Sequence, residues 1–316
     1  MDEVANMPKF TYEKPYYTMH RFLKETFGQK VFKVSLNAGF SCPNKDGTKG
    51  VGGCIYCSLS GSGDFAGSVK ENLQSQFDTI KTMMQKKWSQ GKYIAYFQAN
   101  TNTYADRAVL KTLYDEALGL DPNIVGLAIA TRADCLDESI VDLLDTYHQK
   151  TYLQVELGLQ SIHEKTAEKI NRGHDLKTFD AAVRRLRNRG INVVVHIING
   201  FPWESEDAML KTVQHLNSLD IQGIKIHMLH VVKNTKLANL YHQEPFDLID
   251  RDTYAKVVAN QIEHLDPNIV IQRLTGDAKR SDLITPFWTL KKFVVINTID
   301  KLLRERGSYQ GIYFKR

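Results

Sequence analysis

The segment KTFDAAVRRLRNRGINVVVHII, residues 177–198, contains the pattern that decides the fold. Residues 177–189 have a helical pattern that ends at Gly190, because glycine commonly follows the last turn of a helix. Residues 191–198 then form a short apolar run with little alternation, which is typical of a strand buried on both faces. A helix followed at once by such a strand predicts one unit of a parallel sheet covered by helices.

The same alternation of helix and strand continues on both sides of this unit. Apolar runs predict further strands at 31–36, 93–98, 124–130, 151–157 and 224–229, and helical patterns predict helices at 106–118, 137–148 and 205–218. Roughly six such units predict an α/β fold, either an open doubly wound sheet or a partial (β/α)6 TIM-like barrel. We expect an N-terminal segment over 1–30, the core over 31–232 and a C-terminal α/β extension over 233–316.

The composition indicates a folded protein outside the secretory pathway. Its 316 residues are 42% hydrophobic and 24% charged, which is typical of globular domains. No apolar run reaches the ~20 residues of a membrane-spanning helix, and residues 1–10 lack the apolar region of a secretory signal. We therefore expect a cytoplasmic protein with no membrane partner. The net charge of +5 permits a nucleic-acid partner without requiring one.

Three of the four cysteines lie close together in a long loop, residues 37–68, that is rich in Gly, Ser, Asn and Asp. Cys42, Cys54 and Cys57 have the spacing C-x11-C-x2-C, and their thiolates suit zinc or an iron–sulfur cluster. A closed zinc site needs four ligands, and so does a fully ligated cluster. Three thiolates on a four-iron cluster would leave one iron open to a cofactor or substrate. The alternative is a zinc loop completed by a distant histidine or by Cys135.

The cysteine loop, with its GGCIYCS and GSGDFA runs, resembles the bacterial radical S-adenosylmethionine (SAM) family of the YtqA/YhcC type. This family belongs to the same branch as the catalytic subunit of the elongator complex. The long first gap departs from the familiar C-x3-C-x2-C spacing and is characteristic of that branch. Further matching segments are residues 96–104, 131–135, 155–161, 171–174, 200–204 and 273–277.

The resemblance implies a partial (β/α)6 barrel and a [4Fe–4S] cluster on Cys42, Cys54 and Cys57. It also implies SAM as a second cofactor, cleaved reductively to methionine and a 5′-deoxyadenosyl radical that removes a hydrogen atom from the substrate. The family's Gly-Gly-Glu motif, which contacts the methionyl amine of SAM, is replaced here by the residues 98–100, Gln-Ala-Asn. Gln98 and Asn100 are therefore predicted cofactor-binding residues.

Polar residues follow each predicted strand, and in a parallel barrel these strand ends form the active face. Glu156 is a candidate for the ribose hydroxyls of SAM, because a carboxylate accepts hydrogen bonds from two neighbouring hydroxyls. Arg132 is a candidate partner for a carboxylate, or else forms a structural ion pair with Asp134 or Glu156. We predict catalytic roles for Arg132 and Glu156. Further predicted cofactor-binding residues are Gln160, His230 and, beside adenine, Asn199 and Gly200.

The elongator-like branch acts on the wobble uridine of transfer RNA. The closer family resembles the Gram-positive enzyme that processes 5-carboxymethylaminomethyluridine toward 5-aminomethyluridine, so tRNA is an expected partner, with flavodoxin or ferredoxin as electron donor. Basic clusters at 184–189, 279–280, 291–292 and 301–316 would suit phosphates, although solvated helix faces explain any one of them. Aromatic residues interleave with the C-terminal clusters: Trp288, Tyr309, Tyr313 and Phe314.

Two other functions fit the same residues. One is a radical reaction on a small molecule, because strands 191–204 and 224–237 also resemble the oxygen-independent coproporphyrinogen oxidases. The other is a zinc-stabilised RNA-binding protein without catalysis.

Overall fold

A computed structural model of the chain describes residues 9–58, 61, 63 and 65–315. Seven parallel strands form one sheet that curls into a half-barrel, in the order β1-β2-β3-β4-β5-β6-β8. The strands are β1 Val31–Leu36, β2 Lys92–Phe97, β3 Ile124–Thr131, β4 Tyr152–Gln160, β5 Asn192–Asn199, β6 Gly223–Met228 and β8 Val270–Arg273. A second, antiparallel pair consists of β7 Val231–Val232 and β9 Leu283–Thr285. The predicted partial (β/α)6 barrel with an α/β extension is confirmed.

Helices connect the strands, and most of them cover the outer face of the sheet. They are α1 Met19–Phe27, α2 Leu73–Gln85, α3 Arg107–Gly119, α4 Glu138–His148, α5 Glu164–Lys169, α6 Leu176–Arg187, α7 Glu206–Leu216, α8 Lys236–Gln243, α9 Arg251–His264 and α10 Lys292–Glu305. Side chains fix where several of them begin: Asp137, Asp175 and Ser205 each accept a hydrogen bond from a backbone N–H in the first turn. Within the described residues, no helix is long and apolar enough to cross a membrane.

The C-terminal extension is part of the main sheet rather than an addition beside it. Strand β8 pairs with β6, with Val270 opposite Gly223. Tyr254 on α9 and Val295 on α10 are fully buried in the same core as Leu127 of β3. The hydrophobic core therefore crosses the predicted boundary at residue 233, and the division into domains stays a prediction.

The inner face of the sheet is polar around Glu156, in contrast to the predicted strands with two apolar faces, while Ile94 and Ala128 form an apolar cluster with Leu23 of α1. In β4, Val155 and Leu157 are buried in the core under the helices, whereas Glu156 lines a cavity on the inner side. In β6, Ile226 is in the core and Lys225 lines the cavity. Side chains alternate between the two faces of a strand, so every second position of these strands is available for chemistry.

The edge strands of the half-barrel, β1 and β8, are not paired with each other in the sheet. Side chains and the N-terminal segment join these two edges instead. Lys33 Nζ on β1 donates a hydrogen bond of 3.0 Å to Gln272 Oε1 on β8. The N-terminal segment covers the edge of β8 that faces away from β6. There the Ile271 amide donates to the Tyr17 carbonyl at 2.8 Å. Gln310 is fully buried and accepts from the Tyr17 amide at 2.8 Å.

Replacing Gln310 with alanine is expected to lower the free energy of unfolding by about 2–3 kcal/mol, because buried polar backbone groups would lose their partners. The Gln310 amide also donates to the carbonyls of Asp266 and Ile269, at 2.7 and 2.8 Å. Urea denaturation measures the change. The exposed Gln243 on α8 is the control, and Gln243→Ala is expected to change stability by less than about 0.5 kcal/mol. Equal stabilities of the two variants would contradict this role of Gln310.

Candidate active site

A cavity of about 870 Å³ extends from the C-terminal ends of the strands along the inner face of the sheet. This volume lies in the range of small-molecule and cofactor sites. The predicted site residues that line it are Cys42, Cys54, Cys57, Gln98, Asn100, Arg132, Glu156, Gln160 and His230. The fold thus brings nine separately predicted residues to a single cavity.

Backbone hydrogen bonds fix the C-x2-C turn at the edge of this cavity. The Ile55 amide donates to the Ile170 carbonyl after α5 at 3.0 Å, and the Ile55 carbonyl accepts from the Leu237 amide on α8 at 2.8 Å. Ile55, Ile170 and Leu237 are buried together in a small apolar cluster beside the main core. The turn is therefore held between two helices, which keeps Cys54 and Cys57 in place.

The three cysteines fit an iron–sulfur cluster by the chemistry of their donors and neighbours. A hydrogen bond from Cys57, with the Arg132 guanidinium nearby, lowers the pKa of the Cys54 thiol to about 6, and only thiolates bind iron. Asn44 Nδ2 donates to Cys54 Sγ at 3.7 Å, the type of outer contact that tunes a cluster. Within the described ranges, no three His, Cys, Asp or Glu side chains have the geometry of a site for a single metal ion.

The fourth cysteine has a different environment. Burial raises the pKa of the Cys135 thiol to about 12, so the thiol is protonated at neutral pH. Cys135 Sγ lies 3.9 Å from Asp134 Oδ1, and a nearby carboxylate disfavours the thiolate further. Cys135 is not among the residues that line the cavity.

Arg132 forms a two-pronged ion pair with Asp134. Arg132 Nε lies 2.9 Å from Asp134 Oδ1, and Nη2 lies 3.0 Å from Oδ2. Arg132 Nη1 donates to the Arg172 carbonyl at 2.8 Å. Of the two alternatives for Arg132, the structure thus contains the ion pair with Asp134, while the guanidinium still lines the cavity beside the cysteines. A catalytic role for Arg132 stays a prediction.

Glu156 lies at the centre of a buried ionic network on the inner face of the half-barrel. It is only 1% exposed. Lys33 and Gln154 donate hydrogen bonds to Oε1 of Glu156, at 2.8 and 2.6 Å. The other oxygen, Oε2, is bonded by Tyr96 at 2.7 Å, by His196 at 2.8 Å and by Lys225. Burial opposes its ionised form, but the charges of Lys225 and Lys33 hold the pKa of Glu156 well below its usual range. Glu156 is therefore a carboxylate at neutral pH.

The two lysine partners of Glu156 were missed by sequence reasoning, although the sequence contains a signal for them. Lys33 stands inside the apolar run VFKVSL, and Lys225 inside GIKIHM. A lysine inside a buried strand needs an anionic partner or a polar cavity. Because both oxygens of Glu156 already accept hydrogen bonds within the protein, its predicted contact with ribose and its catalytic role stay predictions.

Two other predicted residues have unusual backbone conformations at the cavity. Asn100 has φ of 60° and Gln160 has φ of 64°, in the left-handed region that residues other than glycine seldom adopt and that is concentrated at functional sites. Asn100 Oδ1 accepts from Lys45 Nζ at 3.2 Å. Gln160 follows a register shift between β4 and β5. With Gln98, they form the upper wall of the cavity at the ends of β2 and β4.

Asn199 and Gly200, predicted to lie beside adenine, are outside the cavity lining. The Asn199 amide group exchanges two hydrogen bonds with Gln261 on α9, at 2.7 and 3.1 Å. A Cβ at Gly200 would lie 2.7 Å from Ile249 Cγ2, so glycine is required there by close packing. Both residues have a structural explanation in the fold, and their adenine contact stays a prediction.

Comparison with known sequences identifies the family. The profile described as the Radical SAM superfamily matches residues 46–216, and the Radical_SAM C-terminal domain matches residues 221–305. This chain belongs to the radical SAM superfamily. Radical SAM proteins use SAM and a [4Fe–4S] cluster, which agrees with three cysteines at one cavity.

One relative covers almost the whole chain. The chain is 48% identical over 304 residues to YtqA of Bacillus subtilis, covering 96% of this radical SAM protein and 94% of YtqA. The resemblance to the YtqA/YhcC type is therefore confirmed.

More distant relatives belong to the elongator-like branch. A tRNA uridine(34) acetyltransferase of Methanocaldococcus infernus is 27% identical over 144 residues, which is 42% of this chain and 26% of the acetyltransferase. The solved structure of Elp3 from the same archaeon superposes with a TM-score of 0.65 over 89% of this chain and 64% of that one. At 15% identity the second likeness concerns the fold alone.

Proposed function

We propose that this chain is a radical SAM enzyme that modifies the wobble uridine of tRNA, converting 5-carboxymethylaminomethyluridine toward 5-aminomethyluridine. The observation that carries the proposal is the convergence of Cys42, Cys54 and Cys57 on one large cavity of a radical SAM half-barrel. When bound, the cluster and SAM would supply a 5′-deoxyadenosyl radical. The substrate hydrogen would come from the methylene between the amine and the carboxylate, where both groups stabilise a carbon radical. Loss of one electron from this radical to the redox partner, a flavodoxin or ferredoxin, would give an iminium. Addition of water to the iminium carbon would then break the N–C bond and release the 5-aminomethyl product and glyoxylate.

The chain's own residues bind and orient the two cofactors. The three cysteines would hold the cluster with one iron open, and Arg132 beside Cys54 favours the thiolate form of that ligand. Gln98, Asn100 and Gln160 offer amide donors and acceptors at the strand ends, the positions where a parallel barrel binds its ligands. A flavodoxin or ferredoxin would supply the electron.

Two observations support tRNA as the substrate. A relative named as a tRNA uridine(34) acetyltransferase is 27% identical to this chain over an aligned stretch of 144 residues. The cavity also opens beside a basic and aromatic surface, which we call the rim: Lys279, Arg280, Phe287, Lys291, Lys292 and Phe293, all exposed. Lys279 itself lines the cavity, so the rim and the cavity are continuous.

The rim has the composition of a surface that binds single-stranded RNA. Phe287 is 64% exposed and Phe293 72% exposed, and exposed aromatic rings are stacking platforms for unpaired bases. Lys279, Arg280 and Lys291 form no ion pair with any described carboxylate, which leaves them available for phosphates. Of the predicted aromatics, Trp288 is instead packed on Tyr254 and donates to a backbone carbonyl.

The arginines of α6 and the turn that follows do not offer such a surface. Arg185, Arg187 and Arg189 pair with Glu138, Asp220 and Asp142, at 2.8, 2.9 and 2.5 Å. Ion pairs of this kind hold neighbouring segments together and leave little charge for RNA. This result favours a structural role for these three arginines of the cluster at 184–189.

Replacing Lys279, Arg280 and Lys291 together with alanine is expected to weaken tRNA binding and to reduce its salt dependence. Each lost phosphate contact lowers the slope of log K against log salt by about 0.7–0.9. Fluorescence anisotropy at several salt concentrations measures this slope. The control is the triple change Arg185→Ala, Arg187→Ala and Arg189→Ala, which removes equal charge and is expected to leave binding unchanged. A larger effect of the control would locate the RNA elsewhere.

The reaction itself is tested by the nucleosides of tRNA. Deletion of the gene is expected to raise 5-carboxymethylaminomethyluridine and to remove its 5-aminomethyl products, as seen by mass spectrometry. Complementation with the wild-type gene should restore them, and complementation with the Cys57→Ala variant should not. Unchanged nucleosides in the deletion strain would refute the substrate assignment.

A further inference from the structure

The cavity lining contains more positive charge than the two cofactors require. Eight lysines and arginines line it together with three carboxylates, among the described residues. SAM brings a sulfonium, an ammonium and one carboxylate, so it is itself a net cation. The thiolate-bound cluster is anionic, but Arg132 and Arg172 already stand close to Cys54. The positive charges of Lys33 on β1 and Lys225 on β6 therefore have no negatively charged partner in the two cofactors.

Two histidines near this charge have unused hydrogen-bonding atoms. His227 follows Lys225 on the inner face of β6, and His230 follows the end of that strand. The Nε2 atoms of both histidines are buried and have no hydrogen-bond partner among the described residues. A buried polar atom without a partner costs about 1–3 kcal/mol, and native proteins seldom keep one without a reason.

His227 belongs to the group of side chains around Glu156. The ring of His227 lies 5.2 Å from the ring of His196, which bonds Glu156. Burial lowers the pKa of His227 well below its usual range, and the charges of His196, Arg273 and Lys225 lower it further. His227 is therefore neutral, and a neutral imidazole with one N–H is a suitable donor to an anion.

The net charge of the network indicates how much negative charge is missing. Lys33 and Lys225 face the single carboxylate of Glu156, and Arg273 is paired with Asp277 at 3.2 Å. Burial lowers the pKa of Lys225 to about 7, and the charges of Lys33 and Arg273 lower it further against the attraction of Glu156. One additional negative charge would balance the network, which fits a carboxylate and not a doubly charged phosphate.

We propose that Lys225, His227 and His230, here called the β6 subsite, bind a carboxylate group of the substrate. The inference rests on the proposed function, in which the reacting group of the nucleoside ends in a carboxylate. Lys225 bonds Glu156 and, at 3.4 Å, the Tyr96 hydroxyl, which leaves one N–H of the ammonium for the ligand. In this arrangement His230 contacts the substrate instead of SAM.

Bound in the β6 subsite, the carboxylate would orient the neighbouring methylene. A carboxylate held at two or three points fixes the carbon next to it, and such positioning supplies a large part of an enzyme's rate. The subsite would also reject the reaction product, which has lost the carboxylate. The preference for the substrate over the product would thus depend on the carboxylate rather than on the shape of the base.

The test compares two RNAs that differ only in this carboxylate. Anticodon stem–loops with 5-carboxymethylaminomethyluridine or with 5-aminomethyluridine are titrated into the reconstituted holoenzyme with SAM under anaerobic conditions. We expect the wild type to bind the first about tenfold more tightly. His227→Leu should remove this preference, and His227→Gln, which keeps an amide N–H near Nε2, should retain most of it. Affinity for the second RNA should be equal in all three proteins.

Two results would overturn the subsite: equal affinity of the wild type for both RNAs, or an undiminished preference in His227→Leu. His230→Leu provides a second variant if His227→Leu unfolds at a lower temperature than the wild type. If neither RNA binds, the tRNA function fails, and N-benzylglycine and benzylamine replace the RNAs in calorimetry. A preference for N-benzylglycine that His227→Leu abolishes would then support the subsite alone, and no preference would overturn it as well.

Discussion

Replacing Cys57 with alanine is expected to abolish the brown colour of the anaerobically purified protein and its cleavage of SAM. The loss of an outer contact to a metal ligand typically costs 10–100-fold in affinity or activity, so the loss of a ligand should cost at least about 100-fold. Iron and sulfide analysis measures the cluster, and chromatography of deoxyadenosine formed under dithionite measures the cleavage.

The chain contains a matched control for this experiment. Cys135 lies outside the cavity lining, and burial raises the pKa of its thiol to about 12. Cys135→Ala is expected to retain full iron and full deoxyadenosine formation. If Cys57→Ala instead kept its iron, or if Cys135→Ala lost it, the cluster would not be on the three cysteines. Stoichiometric zinc with no iron in the wild type would favour the zinc-stabilised alternative.

Replacing Glu156 with glutamine is expected to lower the free energy of unfolding by about 3–5 kcal/mol. Glutamine has nearly the same shape but no charge, so Lys33 and Lys225 would remain buried without a counter-ion, and removing one partner of a buried ion pair has a cost of this size. Urea denaturation of the purified protein measures the loss. This is a large part of the 5–15 kcal/mol that stabilises a typical protein.

The control for Glu156 is an exposed glutamate in a comparable pair. Glu305 lies 3.6 Å from Lys301 on α10, and both side chains are more than half exposed. Glu305→Gln is expected to cost less than about 0.5 kcal/mol. The double variant Glu156→Gln with Lys225→Met should recover part of the stability, because one of the unpaired charges is removed. If Glu156→Gln were as stable as Glu305→Gln, the buried ionic network around Glu156 would contribute little to the free energy of unfolding.

The difference in the free energy of unfolding between the wild type and Glu156→Gln is expected to depend on pH in one direction. The pKa of Glu156 is lowered in the folded protein, mainly by Lys225 and Lys33 against the opposing effect of burial. Its contribution to stability is therefore complete above the pKa of the unfolded chain, about 4.3, and is lost as the pH falls toward the folded pKa. The gap in stability between the wild type and Glu156→Gln should narrow as the pH falls below about 4.

The sequence predicts the first six strands because their signals are local. Each is a short apolar run, and most of these runs lie next to a helical pattern. Strands such as Ile124–Thr131 differ from the prediction by one residue. Strand β8 has only four residues, and its place in the sheet depends on β6, more than 40 residues earlier. Such a pairing is fixed by tertiary contacts and leaves little trace in the local pattern.

The candidate site was predictable where the motif itself specifies the chemistry, as for the three cysteines. Side-chain direction was harder to predict. Ile198 lines the cavity, so the next residue, Asn199, points to the other face and bonds Gln261. Counting alternate positions from His196 would have excluded Asn199 from the cavity. The same count from Glu156 gives Gln154 and the lining residue Gly158 on the inner face.

The carboxylate of Glu156 is a point where five strands meet, because β1, β2, β5 and β6 each send one side chain to it from their own positions in the sheet. A substitution at any one of these positions changes the electrostatic balance for all the others. Among relatives of this chain, the residues equivalent to Lys33, Tyr96, His196 and Lys225 should therefore vary as a set. A homologue with a neutral residue in place of Glu156 should also lack at least one of the two lysines.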